Sequence, residues 1–151
     1  MTKRISKMND LLKIETILGY VANDNHLRAS RDGREFEGVL PRPAWTEVIV
    51  KRNGSVTDTV AEMKKVIRSC AWQTAMLAPL LKGRNTYETC RNIWNFLFDH
   101  IKYKEDDEGK EQLRTSALSW FVRRTRGVDC DDFTIFCGSL LWNFKIPFTY
   151  G

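Results

Sequence analysis

The sequence predicts a single α+β domain that is mainly helical, and three observations predict it. Apolar residues recur at helical spacing in several separated stretches. Two short β-rich runs, 45–50 (WTEVIV) and 148–150 (FTY), stand apart from them. One stretch, 133–144, is apolar on nearly every side, which marks a buried central helix starting at Cys130. At 151 residues the chain is one domain by length. A chain of that size can bury roughly two-thirds of the surface its unfolded form exposes.

Taken in order, residues 6–21 form an amphipathic helix, with Leu11, Ile14, Leu18 and Val21 on one face and Met8 and Leu12 beside them. Residues 22–44 have no period and contain Asn, Asp, Gly and two Pro, so they form a loop or extended arm. The run 45–50 alternates and ends at Asn53-Gly54, a strand entering a turn. Residues 1–54 therefore make an N-terminal helix and extended arm, and 55–151 the helical, cysteine-bearing part.

A long helix starts near 55–59, where Thr59 and Glu62 have the form of a capping box. Val60, Met63, Ile67, Cys70 and Ala71 keep its period, and Pro79 should end or kink it. The next helix begins at Asn85 or Thr86, with Cys90, Ile93, Trp94, Leu97, Phe98 and Ile101 at helical spacing. An acidic loop, 105–108, follows and reads as solvated, without the alternating ligands of a calcium loop. Residues 116–125 form a shorter helix with Leu118, Phe121 and Val122 inward, and Gly127 suits its C-terminal end. The last helix carries Phe133, Phe136, Cys137, Leu140, Leu141 and Phe144, and Pro147 closes it. Trp120 and Trp142 are expected in the core.

Composition excludes several classes. The net charge of +5 is spread out: residues 1–54 carry ten Lys/Arg against seven Asp/Glu, and 55–151 fourteen against twelve. That is no dedicated nucleic-acid surface. The opening is basic, but Asp10, Lys13 and Glu15 interrupt any apolar run, so no secretory signal or membrane span is expected. Cysteines at 70, 90, 130 and 137 include no Cys-x-x-Cys pair and read as free thiols in a reducing, cytoplasmic compartment. Cys70, Cys90 and Cys137 sit on apolar faces as packed thiols. Neither a metal nor a cofactor is expected, since no zinc spacing, Gly-rich phosphate loop or dinucleotide motif is present.

The chemistry concentrates at Arg126-Gly127-Val128-Asp129-Cys130-Asp131-Asp132-Phe133. A cysteine at a helix N-terminus meets orphan N–H groups and the positive end of the helix dipole, which favour a thiolate. The same N–H groups can stabilise an oxyanion on an attacked carbonyl. Arg123, Arg124 and Arg126 lie upstream and would lower the thiol pKa further. Asp129, Asp131 and Asp132 push the other way. Placement alone leaves Cys130 open between a nucleophile and a small buried hydrophobe.

The segment 114–150 (RTSALSWFVRRTRGVDCDDFTIFCGSLLWNFKIPFTY) resembles the nucleophile region of bacterial and phage transglutaminase-like proteins, a branch of the papain-type cysteine enzymes. Those show a short helix, a Gly-(x)-Asp-Cys-Asp-Asp motif, a buried helix, then a Gly-Ile-Pro-like turn into a core strand. Here the turn is Lys145-Ile146-Pro147, with Phe144-Lys145 in place of the usual small residue and Gly. The likeness covers roughly residues 56–150 and is most specific at 126–147.

The resemblance implies a papain-like α+β core with Cys130 as catalytic nucleophile. The chemistry implied is acyl transfer on an amide or peptide bond of a peptide or protein substrate. It also implies a His and then an Asp or Asn on strands after the cysteine. Both histidines here, His26 and His100, precede Cys130. His26 lies in a polar loop, and His100 closes a helix, where a cation suits the dipole. The expectation is therefore a domain truncated after the nucleophile helix and inactive as it stands. The competing class is a non-catalytic structural or interaction protein, phage-associated, that keeps the fold. Without the later sheet, Phe133, Phe136, Leu140, Leu141 and Phe144 should lose part of their cover. A homodimer through that exposed apolar surface is expected over an arm folded across it.

Overall fold

A computed structural model describes residues 31–43, 48–51, 56–107 and 111–150. The helix predicted at 6–21, His26 and Trp45 lie outside the described residues. Two strands, β1 (Val48–Lys51) and β2 (Glu111–Arg114), pair antiparallel with Val48 opposite Arg114 and Lys51 opposite Glu111. The rest is helical: α1 (Val56–Cys70), α2 (Ala78–Leu81), α3 (Thr86–His100), α4 (Ser116–Val122) and α5 (Cys130–Asn143), with 3-10 turns at Arg34–Phe36 and Ala71–Thr74. The architecture is mostly helical with one small sheet.

Several boundaries moved for local reasons. α1 starts at Val56, so Thr59 is an interior residue and no cap. Its hydroxyl is buried and donates to Glu111 Oε2 at 2.7 Å, tying α1 to β2. The helix ends at Cys70, well before Pro79, which falls in the first turn of α2. Proline is tolerated there because first-turn amides have no intrahelical acceptor. At α3 the Asn85 side chain accepts from Glu88 N at 2.9 Å, as the sequence expects of a helix start. β2 was not legible as a strand: Glu-Gln-Leu-Arg has low β-propensity and forms because β1 supplies the ladder.

α5 is the axis of the molecule and touches α1, α3, α4, β2 and the Ala71–Thr74 turn. Phe136 and Leu140 enter one core with Leu77, Ile93, Phe96, Leu97 and Trp120. Ile135, on another side, enters a second core with Met63, Val66, Ile67, Cys70 and Leu113. A helix lying between two cores needs apolar residues all round, which is why its period is blurred.

The expected loss of cover on α5 is confined to three of the five residues. Phe136 and Leu140 are fully buried, and Phe133, Leu141 and Phe144 partly so. The arm contributes: Leu40 belongs to the first core, and Phe36 and Val39 pack against it. Phe36 meets Phe96 edge-on at 4.9 Å between ring centres. Arg123 anchors the arm by donating to the Asp32 carbonyl at 2.6 Å.

Helix faces differ from expectation too. In α4, Ala117 and Trp120 are buried and Phe121 is 64% exposed. Trp142 at the end of α5 is half exposed. In α3 the buried side is Thr89, Ile93, Phe96, Leu97 and His100, which leaves Trp94 and Phe98 outside. That helix carries two apolar stripes, and only the tertiary packing chooses between them.

α5 closes in a left-handed cap. Lys145 has φ 55°, its N–H donates to Trp142 O at 3.1 Å, and Ile146 N–H donates to Leu141 O at 3.0 Å. This bond pair favours glycine at the left-handed position, because a Cβ there crowds the following carbonyl. Lys145→Gly is therefore expected to stabilise the chain by about 1 kcal/mol. Chemical denaturation checks it, and an unchanged or lower midpoint would contradict the strain.

Candidate active site

The approach to Cys130 is set by Gly127 (φ 79°), where a Cβ would lie 2.7 Å from the Lys102 carbonyl oxygen. Only glycine combines that backbone with that contact. The chain then runs beside the segment that follows α3. Val128 N–H donates to Lys102 O at 2.9 Å and Lys104 N–H to Val128 O at 2.8 Å, which pairs Tyr103 with Val128. Asp129 caps α5: one carboxylate oxygen accepts from Asp131 N and Asp132 N at 3.1 and 3.2 Å. Cys130 is the first residue of the helix and is exposed.

Beneath it lies a buried charge network. Arg114 on β2 and Asp132 on α5 are 2% and 0% exposed, with Arg114 Nη1 to Asp132 Oδ2 at 2.5 Å. The backbone N–H of Arg114 donates to the other Asp132 oxygen at 2.7 Å. Asp106 accepts from Arg114 Nη2 and from Arg126 Nη2, each at 3.2 Å, and from Gln112 N at 2.7 Å. Gln112 Oε1 takes a further Arg114 N–H at 2.5 Å. The acidic loop is thus not simply solvated: Asp106 is a partly buried counter-ion to two arginines. Burial pushes the Asp132 carboxyl up to about 6, against the pull of Arg114, so at neutral pH it is still the charged partner.

The electrostatics at Cys130 run against a ready thiolate. Burial first, then the Asp131 and Asp129 carboxylates, push its thiol up to about 11. The upstream cations do not compensate. Arg123 stacks on Trp120 at 3.9 Å and donates to the Asp32 and Trp120 carbonyls, and Arg126 is spent on Asp106. Two first-turn amides, expected as oxyanion donors, are already taken by Asp129. The Asp129 carboxyl is itself raised, by burial and then by Asp132.

Tyr103 lies on the approach to the site and is a residue to which the sequence assigns no role. Its ring stacks on Phe133 at 6.4 Å, one turn inside α5. Burial and then the charge of Cys130 push its phenol up to about 12, so the hydroxyl keeps its proton at neutral pH. The signal that could have flagged it is its place three residues beyond α3, in the stretch that pairs with Val128 ahead of Cys130. Arg114 and Asp106 carried no local signal, since their partners are distant in sequence.

His100 is no partner to Cys130. It is 3% exposed, donates Nδ1–H to Phe96 O at 2.7 Å, and is ringed by Phe36, Phe96 and Trp120. It ends α3, as expected, with its side chain buried. Its Nε2 lies 3.8 Å from Glu35, too far for a hydrogen bond. Cys70 is packed as expected, against the Ser139 hydroxyl at 3.4 Å, whereas Cys90 is exposed. Among the described residues no group of three His, Cys, Asp or Glu could hold a metal ion.

Two outcomes follow from this geometry. Asp132→Ala should destabilise the fold by about 3–5 kcal/mol by stranding Arg114, and an Asp132→Leu/Arg114→Met pair by less. Denaturation midpoints measure both, and a double variant as damaged as the single would contradict the charge argument. Cys130 alkylation by iodoacetamide should be slow at pH 7 and rise about tenfold per pH unit toward pH 11, since only the thiolate reacts. Asp131→Asn should raise the neutral-pH rate, and a rate plateau below pH 8 would contradict the raised thiol. Set beside family models, curated proteins and solved structures, the chain matches none of them.

Proposed function

We propose that this chain presents the nucleophile of a transglutaminase-like cysteine enzyme of papain-type fold, acting on amide or peptide bonds. One observation carries the reading: an exposed cysteine opens a buried central helix whose first turn is locked by Gly127, Asp129 and the Arg114–Asp132 pair. Cys70 is packed within its helix, and Cys130 is exposed at the start of its own. The left-handed Lys145 turn falls where the resembled family has glycine, which is a second support.

The chemistry would run as acyl transfer. A base removes the Cys130 proton, and the sulfur forms a bond to the carbonyl carbon. The tetrahedral oxyanion takes a hydrogen bond from the Tyr103 hydroxyl. Its collapse breaks the C–N bond, and the base returns the proton to the departing amine. The thioester left on Cys130 then passes to water or to a second amine. A thiol near pKa 11 holds almost no thiolate at neutral pH, so the step needs that base. No described histidine bonds to Cys130, so residues 1–151 alone should leave peptide amides intact.

The raised thiol and the capped amides favour a second reading, a non-catalytic structural or interaction protein that retains the fold. Acyl transfer from a peptide thioester separates the two, because an activated acyl group lowers the demand on the base. Cys130 should be acylated faster than exposed Cys90 once both rates are divided by their iodoacetamide rates at the same pH. Tyr103→Phe should cost Cys130 about tenfold or more. Equal normalised rates at the two cysteines would sink the enzyme reading.

A further inference from the structure

We propose that the end of the molecule away from Cys130, built around the Ala71–Thr74 turn and α2, docks on an anionic lipid bilayer. From Ser69 to Leu81 the chain carries no charged residue. The core uses one side of this stretch, where Ala71, Leu77, Ala78 and Leu81 are buried. The other side, Trp72, Ala75, Met76, Pro79 and Leu80, follows the helical spacing i, i+3, i+4, i+7 and i+8 and is exposed. Trp72, Met76 and Leu80 are 63%, 70% and 59% exposed, a contiguous apolar stripe of the kind that marks an interaction surface. Half-exposed Trp142 stands at the same end, since the Asn143 side chain next to it donates to Ala71 O at 2.7 Å and Thr74 Oγ1 at 2.8 Å.

Charge selects the partner. Residues 63–87 contain Lys64, Lys65, Arg68, Lys82 and Arg84 and no Asp or Glu. Residues 133–150 add Lys145 and again no acid. Lys65 and Arg84 are paired with Glu62 and Glu88, whereas Arg68, Lys82 and Lys145 are exposed and, among the described residues, meet no carboxylate. The acids gather at the other end of α5, where Asp129, Asp131 and Asp132 form its start and Asp106 reaches in from the loop. One pole of the molecule is therefore acidic and carries the cysteine, and the opposite pole is apolar and cationic. Acids around the stripe would repel an anionic surface, and this stretch of chain has none.

A bilayer surface matches both halves of that pattern. Tryptophan rests at headgroup level, with its ring in the apolar boundary and its N–H wet. Met76, Pro79 and Leu80 have no side-chain donor to offer a polar partner, and they enter the acyl boundary while Arg68, Lys82 and Lys145 meet anionic headgroups. The contact is peripheral: among the described residues no helix is long and apolar enough to cross a membrane. The fourteen residues of α5 separate its two ends by about 21 Å, so a bilayer held at the Trp142 end leaves Cys130 directed away from the lipid. The docking surface does not depend on the chemistry proposed for that cysteine.

Flotation of the full chain with lipid vesicles tests this. The chain should float with phosphatidylcholine vesicles that contain about 30% phosphatidylserine, and several-fold less with phosphatidylcholine alone. Trp72→Ser/Met76→Ser should cut binding about tenfold or more while leaving the denaturation midpoint in place, since both side chains are exposed. Lys82→Glu should weaken binding several-fold. Lys104→Glu, the same charge change beside Val128 at the Cys130 end, should leave it unaltered. No binding to the anionic vesicles would overturn the proposal, as would binding that survives the double substitution or falls equally with Lys104→Glu. A dimer in sedimentation that the double substitution dissolves would overturn it too, by giving the stripe to a second copy of the chain.

Discussion

Arg114 and Asp132 are both sealed from water, and two charges in that position are tolerated only when every remaining donor and acceptor is met. Much of the molecule is arranged to meet them. Asp106 leaves the acidic loop to take the other edge of the guanidinium, Gln112 turns its side-chain oxygen to the same group, and Arg126 balances Asp106. The Arg114 N–H, pointing away from the ladder, completes Asp132. Because the pair joins β2 to the first turn of α5, it fixes where that helix begins, and so where Cys130 faces solvent. Moving the helix by one residue would bury an unpaired charge.

The same arrangement sets the chemistry of the sulfur. A helix N-terminus favours a thiolate, but three aspartates occupy the first positions of this one. Burial is the first cause of the raised thiol, and the Asp131 and Asp129 carboxylates add to it, while Asp132 is met by Arg114. The outcome is an exposed cysteine whose thiol stays protonated at neutral pH, and the Tyr103 phenol stays protonated as well.

The arm decides what the core looks like from the other side. Phe36, Val39 and Leu40 close over α3 and α5, and His100 is drawn into that aromatic cluster with a ring contact to each neighbour. The polar sequence of 31–40 hides this role, because only three of its residues are large and apolar. Three are enough when each enters a preformed gap between helices, since burial of one such side chain contributes roughly 1.5–3 kcal/mol.

The sequence by itself determined the helices that local rules govern. α5 runs from Cys130 to Asn143, within a residue of its apolar period, and Asn85 acts as the start signal it resembles, whereas α4 stops at Val122 with Arg123 as its cap, short of Gly127. Cys130 at the head of a buried helix was legible for the same reason: periodicity and capping involve residues three or four apart. The tertiary structure alone decided the rest. β2 is a strand only because β1 pairs with it, and Thr59 meets Glu111 across 52 positions. Arg114 finds Asp132 across 18, so neither residue announces its charge partner. In α3 two apolar stripes compete, and the choice of Ile93, Phe96 and Leu97 over Trp94 and Phe98 rests on which set faces α5. Period tells which residues share a side of a helix, whereas burial depends on what arrives from elsewhere in the chain to cover it.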